Sequence, residues 1–207
     1  MTYLGIISNG PSGKVTAPQL LSGRRPQVVI AVNALAADYA CDWWVMADWW
    51  PFTQTEPLLY EGRQPVLVGR RQWIREMDAA SVPRWQAWPR FYLEDVAPAI
   101  PPPDVEMPCV HHRHGNSLGM VTWDGFSGRA ALGVAYWLCR REQCMRDGFR
   151  ALDVVLCGYD NGGTDGAHDL DPKRANRTDR RWAEERMVFD FFMRAFEKIG
   201  VKVERLS

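Results

Sequence analysis

The chain has 207 residues, 46% of them hydrophobic, which suits one domain with a substantial core. Its 25 basic and 25 acidic side chains balance, which argues against bulk attraction to duplex nucleic acid, and no apolar window is long enough to span a membrane. Five cysteines without a CxxC pair argue against a disulfide framework, and together with a start that lacks a signal-peptide pattern they favour a reducing cytoplasm.

Four short apolar runs in the first third of the chain predict strands. They cover residues 3–7, 28–32, 43–47 and 64–68, and each is followed by small or polar residues. Such runs are typical of strands buried on both faces of a parallel sheet. Because open parallel sheets bind ligands at the carboxyl ends of their strands, the residues that follow these runs are site candidates.

The middle of the chain, residues 73–125, has a different character. It is rich in proline and tryptophan, and its run 99–103 is incompatible with a regular helix or a central strand. We interpret it as an irregular insertion that covers the sheet as a lid. Its aromatic side chains suit packing, a stacking platform for a base or sugar, or an interface between copies of the chain.

Regular patterns return in the last third. Apolar residues at helical spacing follow Gly128, a strand covers 152–157, a second amphipathic helix begins near residue 178, and an edge strand follows Gly200. This alternation predicts an α/β fold, a single Rossmann-like domain over residues 1–207 with a mostly parallel sheet.

Two loops have the composition of anion-binding turns. After the first strand come Ser8, Asn9, Gly10, Pro11 and Ser12. The glycine allows a close approach to a ligand, and the last hydroxyl suits a phosphate oxygen at the start of a helix. The loop matches neither the Walker motif nor GxGxxG, so an ordinary strand-to-helix turn is the alternative.

The second loop opens the best predicted helix with Ser127, Gly128 and Arg129. The serine is a suitable helix cap, which is the purely structural interpretation. The functional interpretation adds a ligand at that helix terminus, with the arginine as a charge-assisted hydrogen-bond donor.

The combined pattern resembles one superfamily. It joins the bacterial sialyltransferases that make lipooligosaccharide caps to motility-accessory and pterin-pyrophosphokinase-like domains, and the similarity covers about residues 3–48 and 120–206. The matching residues are Asn9, Gly10, Pro11, Ser12, Asn33, Ser127, Gly128, Gly158 and Asp160. The resemblance implies that the early loop, Asn33 and the Ser-Gly loop hold a nucleotide, either a CMP-sugar or ATP.

The chain departs from the sialyltransferase pattern at the catalytic base. Those enzymes carry a histidine shortly before the last helix, whereas residues 173–179 contain none. His168 lies upstream and is the best substitute, since a histidine can accept a hydroxyl proton at neutral pH. Asp160, Asp165 and Asp169 are alternative bases, or ligands for Mg²⁺ bridging a diphosphate.

Two further features have both a structural and a functional interpretation. The run from His111 to His114 lacks the spacing of a helical zinc pair and suits the mouth of a site better than a metal site. Arg177 and Arg180 belong to a basic stretch that forms a solvated helix face, neutralises a departing phosphate or contacts a nucleic-acid backbone.

These patterns lead to one expected function and two alternatives. The expectation is a transferase that uses a nucleotide-activated donor, a CMP- or UDP-type nucleotide sugar, and acts on a glycan, a small alcohol or a modified nucleic-acid base. One alternative is an ATP-dependent pyrophosphokinase acting on a small alcohol. The other is a nucleotide-binding module without catalysis, which the missing histidine keeps open.

Overall fold

The computed structural model describes residues 3–10, 12–23, 25–46, 55–70, 88–95, 111–112, 117–122, 127–145, 153–160 and 179–206. Within these ranges, strands and helices alternate along the chain from Tyr3 to Arg205. None of the helices in the described ranges has a stretch long and apolar enough to cross a bilayer.

The described strands form one sheet. In chain order they are β1 (Tyr3–Ile7), β2 (Val28–Val32), β3 (Trp43–Val45), β4 (Val66–Arg70), β5 (Arg90–Asp95), β6 (His111–His112), β7 (Ser117–Thr122), β8 (Asp153–Cys157) and β9 (Val203–Arg205). Their order across the sheet is β6-β7-β5-β4-β3-β2-β1-β8-β9. Neighbours are parallel throughout, except that β6 runs antiparallel to β7.

Four described helices cover the sheet on both faces. They are α1 (Gly13–Ser22), α2 (Leu35–Asp38), α3 (Ser127–Met145) and α4 (Asp179–Lys198). One apolar cluster joins α1 and α2 to one face, and a second joins α3 and α4 to the other. Strands covered on both sides require apolar residues at every position, which explains the uninterrupted apolar runs of β1 and β2.

The two faces differ in the side chains that fill them. On the α3 face, Ala130, Ala131 and Ala135 are buried, and their small size lets the helix lie close to the sheet. Helix α4 adds aromatic rings to this layer, as where Phe196 meets Tyr136 edge-on with ring centroids 5.7 Å apart. On this face, α3 therefore packs closely against the sheet through small side chains, and α4 packs against α3 through aromatic ones.

Helix α1 contains Pro18, which has no N–H to donate to the carbonyl of Lys14. The hydroxyl of Tyr39, just after α2, donates to that Lys14 oxygen instead at 3.4 Å. The proline is therefore accommodated without an unsatisfied carbonyl, and the bond links α1 to α2.

The sequence predictions of fold class are confirmed by this architecture, which is α/β with a mostly parallel sheet. The bounds of β1 and β2 match the predicted strands, and β4 lies two residues later than its prediction. Within the predicted insertion 73–125, the described residues form β5, β6 and β7, which sequence patterns did not place in the sheet. The other residues of the insertion lie outside the described ranges, as does most of the loop after residue 160.

Candidate functional site

The strand order changes direction between β1 and β8. From β1 the chain proceeds outward through β2, β3, β4, β5 and β7, and α3 then returns it to β8 on the other side of β1. At such a switch point the connections leave the sheet in opposite directions, and open α/β sheets bind their ligands there, beyond the carboxyl ends of the strands. We call the described residues beyond the carboxyl ends of β1, β2 and β8 the carboxyl edge: 8–10, 12, 33 and 158–160.

The loops after β1 and β8 are joined by backbone hydrogen bonds. Ser8 N–H donates to the carbonyl of Cys157 at 2.9 Å, and Gly10 N–H donates to that of Gly158 at 3.0 Å. Gly13 N–H then donates to the carbonyl of Gly10 at 2.9 Å, closing the turn into α1. Three amides that could have met a ligand are therefore used within the protein.

Glycine is required where these loops meet. A Cβ atom on Gly10 would overlap the Gly158 carbonyl oxygen and the Asp160 carboxylate. A Cβ atom on Gly158, whose φ is +75°, would overlap the carbonyl oxygen of Ser8. The sequence predicts that Gly10 allows a ligand to approach closely. In the structure, it is the loop after β8 that approaches the loop after β1 at this position.

Asp160 caps the first helix. One of its carboxylate oxygens accepts the Ser12 N–H at 3.0 Å, whereas Ser12, the residue that precedes the helix, makes no capping bond with its own hydroxyl. A negative charge at a helix N-terminus is favoured by the free N–H groups and the helix dipole. The chain thus supplies its own anion at the point where the sequence predicts a phosphate.

Tyr159 connects the loops to α3. Its hydroxyl donates to the carbonyl of Gly128 at 2.8 Å, and its phenol is also hydrogen-bonded to the Ser8 side chain. Burial raises the pKa of Tyr159 well above its ordinary value, while the bond with Ser8 acts in the opposite direction. Tyr159 is therefore a neutral hydrogen-bonding bridge. Sequence reasoning missed it because an aromatic residue after a buried strand is more often core.

The first turn of α3 is buried at the same location. Ser127 and Arg129 are each only 6% exposed. Because a guanidinium stays charged at every physiological pH, Arg129 brings a permanent positive charge to a helix N-terminus that already favours anions. This turn therefore brings a positive charge and a helix N-terminus close to the carboxyl edge.

Asn33 ends β2 and turns the backbone sharply. It has a φ of +52°, in the left-handed region, and is 9% exposed. Its N–H donates to the carbonyl of Val45 at 3.0 Å, and the indole N–H of Trp44 donates to its own carbonyl at 2.7 Å. Its side-chain oxygen Oδ1 is buried and has no hydrogen-bond partner among the described residues.

Ser12 presents a second atom of this kind. Its hydroxyl oxygen Oγ is buried and, within the described ranges, is not hydrogen-bonded. The nearby Thr16 hydroxyl donates to the Ser12 carbonyl at 2.8 Å rather than to its hydroxyl. Buried polar atoms are normally satisfied, so two such atoms beyond the ends of adjacent strands call for a functional explanation.

The thiol nearest the carboxyl edge is unsuited to nucleophilic chemistry. Cys157 ends β8, and burial raises the pKa of its thiol, an effect only partly opposed by a hydrogen bond with Thr16. A neutral, buried thiol is a poor nucleophile at neutral pH. Cys41, Cys139 and Cys157 are buried, and none of the three forms a disulfide among the described residues.

The remaining predicted site residues are divided between the described and the undescribed parts of the chain. His168, Arg177, Asp165, Asp169, Pro11 and His114 fall outside the described ranges. Arg180 lies in the first turn of α4, His111 begins β6, and Asn9 lies between Ser8 and Gly10 in the loop after β1. The described residues contain no group of three or more His, Cys, Asp or Glu side chains placed to hold a metal ion.

Comparison with known proteins identifies no relative of the chain. No protein-family model, no curated protein and no solved structure matches the chain. The geometry of the carboxyl edge is therefore the basis on which a function can be assigned.

Proposed function

We propose that the chain is a transferase that binds a nucleotide-activated donor at the carboxyl edge, and that the donor is a nucleotide sugar of the CMP or UDP type. The observation that carries the proposal is the pair of buried atoms Ser12 Oγ and Asn33 Oδ1, which lack hydrogen-bond partners among the described residues. Leaving buried polar groups unsatisfied costs about 1–3 kcal/mol each, which a bound ligand would recover.

The position of these atoms supports a nucleotide-sized ligand. They follow the adjacent strands β1 and β2, and β1 borders the switch point, where doubly wound α/β domains bind extended ligands such as nucleotides. A hydroxyl or amino group of the nucleoside suits the amide oxygen of Asn33, and the Ser12 hydroxyl can donate or accept.

The charges suggest where the phosphate groups lie. The Asp160 carboxylate already accepts the Ser12 N–H and would repel a phosphate at the start of α1. The first turn of α3 offers the opposite environment, with Ser127, Gly128 and the buried Arg129. The proposed orientation therefore directs the anionic part of the donor toward α3.

The bond of Asp160 to the loop suits a structural role better than proton transfer. The proposed general base is then His168, and Arg177 or Arg180 would neutralise the leaving phosphate. With a UDP-type donor, Asp165 and Asp169 would be the residues to hold a Mg²⁺ ion, which would supply further positive charge.

The test is the thermal stability of the protein with CMP, UMP, GDP, UDP, ADP and ATP, each with and without Mg²⁺. A ligand at 100 times its dissociation constant stabilises by about 2.7 kcal/mol, which raises the midpoint of unfolding by several degrees. Selective stabilisation by CMP or UDP, followed by transfer from the matching nucleotide sugar, supports the proposal. Stabilisation by ATP with Mg²⁺ alone favours the pyrophosphokinase, and binding without turnover favours the module without catalysis.

The contribution of Asn33 is tested with Asn33→Gly and a matched control. Glycine tolerates the left-handed backbone, so this variant removes the amide while retaining the turn. Glu61, also at φ +52°, lies in an exposed turn away from the carboxyl edge, and Glu61→Gly makes the same backbone change there. We expect about tenfold weaker nucleotide affinity in Asn33→Gly alone. Equal affinities in the two variants would remove Asn33 from the site.

A further inference from the structure

The left-handed conformation of Asn33 needs an explanation within the protein. For residues other than glycine this region is disfavoured, and asparagine is one of the few side chains that tolerate it. In the described ranges, Asn33 and Glu61 are the two such residues, and they differ in environment. Glu61 is exposed, whereas Asn33 is 9% exposed and directly follows a central strand.

Trp44 provides that explanation. It lies in β3 beside Ala31 of β2, and its side chain is completely buried. Its indole N–H donates to the carbonyl oxygen of Asn33 at 2.7 Å, a short bond for this type of donor. The next residue of β3, Val45, accepts the Asn33 N–H. Both backbone polar groups of Asn33 are therefore held by consecutive residues of the neighbouring strand.

The indole N–H distinguishes this arrangement from ordinary core packing. Phenylalanine would fill most of the same space, since the cluster around Trp44 is apolar. It would leave the Asn33 carbonyl with only the long bond from the Ala36 N–H at 3.5 Å, so the left-handed turn would lose the shortest of its hydrogen bonds. A tryptophan at this position thus adds one directed hydrogen bond to what a smaller ring would supply.

We propose that Trp44 is a positioning residue, whose indole N–H holds Asn33 in the left-handed conformation that keeps its amide at the carboxyl end of β2 for the ligand. The effect of Trp44 on binding rests on the proposed function, while its effect on the shape of Asn33 does not. Trp44 makes no contact with the ligand in this proposal and acts through Asn33.

The first experiment is a double-mutant cycle on affinity. Dissociation constants for CMP and for UDP are measured with the wild type, Trp44→Phe, Asn33→Gly and the double variant. We expect Trp44→Phe to weaken affinity about tenfold in the wild type and to have no further effect once position 33 is glycine. Equal effects of Trp44→Phe in both backgrounds would show that Trp44 acts on the core in general, which overturns the proposal.

Trp137 supplies the control for core packing. It is a buried tryptophan in α3 on the opposite face of the sheet, where its ring meets Trp43 edge-on. Trp137→Phe removes the same indole group from the core without touching Asn33. We expect it to lower the unfolding midpoint as Trp44→Phe does while leaving affinity within twofold of wild type. A tenfold loss of affinity in Trp137→Phe would contradict the proposed specificity of Trp44.

A second measurement needs no ligand. The ¹³Cα and ¹³Cβ chemical shifts of Asn33 report its backbone conformation, and we expect them to move away from left-handed values in Trp44→Phe and to stay unchanged in Trp137→Phe. Unchanged shifts in Trp44→Phe overturn the positioning role. If neither CMP nor UDP binds the wild type, the nucleotide-sugar proposal fails, and the shifts of Asn33 alone decide the role of Trp44.

Discussion

The carboxyl ends and the amino ends of the strands differ in how completely their polar groups are hydrogen-bonded. At the end opposite the carboxyl edge, which we call the amino edge (Arg25, Val29, Asp42 and Tyr60), Asp42 accepts the Val29 N–H at 2.8 Å and the Arg25 guanidinium at 3.1 Å. The guanidinium also lies 3.7 Å from the centroid of the Tyr60 ring. The polar groups at this end form hydrogen bonds and ion pairs with one another, as expected for a surface with a structural role.

The carboxyl edge combines the same kind of cross-linking with incomplete satisfaction. Asp160 and Tyr159 tie its loops together as Asp42 ties the amino edge. The Ser12 hydroxyl and the Asn33 amide oxygen, however, are buried without partners among the described residues. Among the described residues, cross-linked loops and unused hydrogen-bonding capacity occur together at the carboxyl edge and not at the amino edge, which is why we propose that a ligand binds at the carboxyl edge.

The loop framework is tested most strongly by Gly158→Ala. The added methyl group would overlap the Ser8 carbonyl and would also sit on a left-handed backbone, so we expect a loss of about 3 kcal/mol in the free energy of unfolding. Gly200→Ala is the matched control, because Gly200 has a φ of +69° and open space around it. It should lose only about 1 kcal/mol in denaturant unfolding. Equal losses would mean that the close approach of the two loops contributes nothing.

At the amino edge, Asp42→Ala should reduce stability without affecting ligands. It leaves the buried Val29 N–H without its acceptor and removes the partner of Arg25, for an expected loss of about 2 kcal/mol. Nucleotide affinity should stay within twofold of the wild type, because the amino edge lies at the other end of the strands. If Asp42→Ala weakened nucleotide affinity by more than the fraction of unfolded protein accounts for, the amino edge would contribute to binding, and the proposed division of roles between the two ends would be wrong.

Alkaline pH provides a further test of the amino edge. Burial, and secondarily the Asp42 charge, raise the pKa of the Cys41 thiol to about 12, whereas an unfolded thiol titrates near 9. The folded state therefore retains a proton that the unfolded state loses, so the Cys41 contribution to stability is complete below pH 9 and falls as the pH rises toward 12. The expected slope is about 1.4 kcal/mol per pH unit for this one group. Cys41→Ala should show a shallower decline in urea unfolding from pH 9 to 10; an unchanged slope would contradict the assignment.

Ser12→Ala has the smallest expected effect on folding and separates binding from stability. Its hydroxyl has no described partner to lose, and its removal relieves a buried unsatisfied group, so without nucleotide we expect a stability equal to the wild type or up to about 1 kcal/mol higher. Nucleotide binding should weaken by about 1–2 kcal/mol if the hydroxyl meets the ligand. Thr16→Val is the control on the next turn, since it removes the hydroxyl that bonds the Ser12 carbonyl. Unchanged affinity in Ser12→Ala would remove this contact from the site.

Sequence patterns predicted the central strands and the edge strand β9, but missed β5, β6 and β7 on the other side of the sheet. The runs that became β1 and β2 are apolar at every position because helices cover both faces of the sheet. Strand β5 reads Arg-Phe-Tyr-Leu-Glu-Asp, with charged residues at both ends, and β6 has two residues. Neither pattern is distinguishable from a loop, because each strand depends on a neighbour that the local sequence does not reveal.

Sequence also indicated which loops belong together, but not how they meet. Gly10, Asp160 and Gly128 were recognised as one group through a resemblance. The contacts that join them depend on β8 lying beside β1, which is a property of strand order. The bond from Trp44 to Asn33 likewise depends on the register of β2 with β3. Local patterns identify residue types suited to a site, while pairing decides which atoms touch.

The position of β1 has a consequence for how the protein is made. This strand can pair with β2 soon after both are synthesised. Its other edge pairs with β8, so Tyr3 has no strand partner on that side until Asp153 has been synthesised. Until then a flat apolar strand edge is open to pairing with other chains. Folding that depends on such distant contacts is slow, and nascent chains that stop before β8 are prone to aggregate. We therefore expect truncations ahead of β8 to need a chaperone to remain dispersed in the cell.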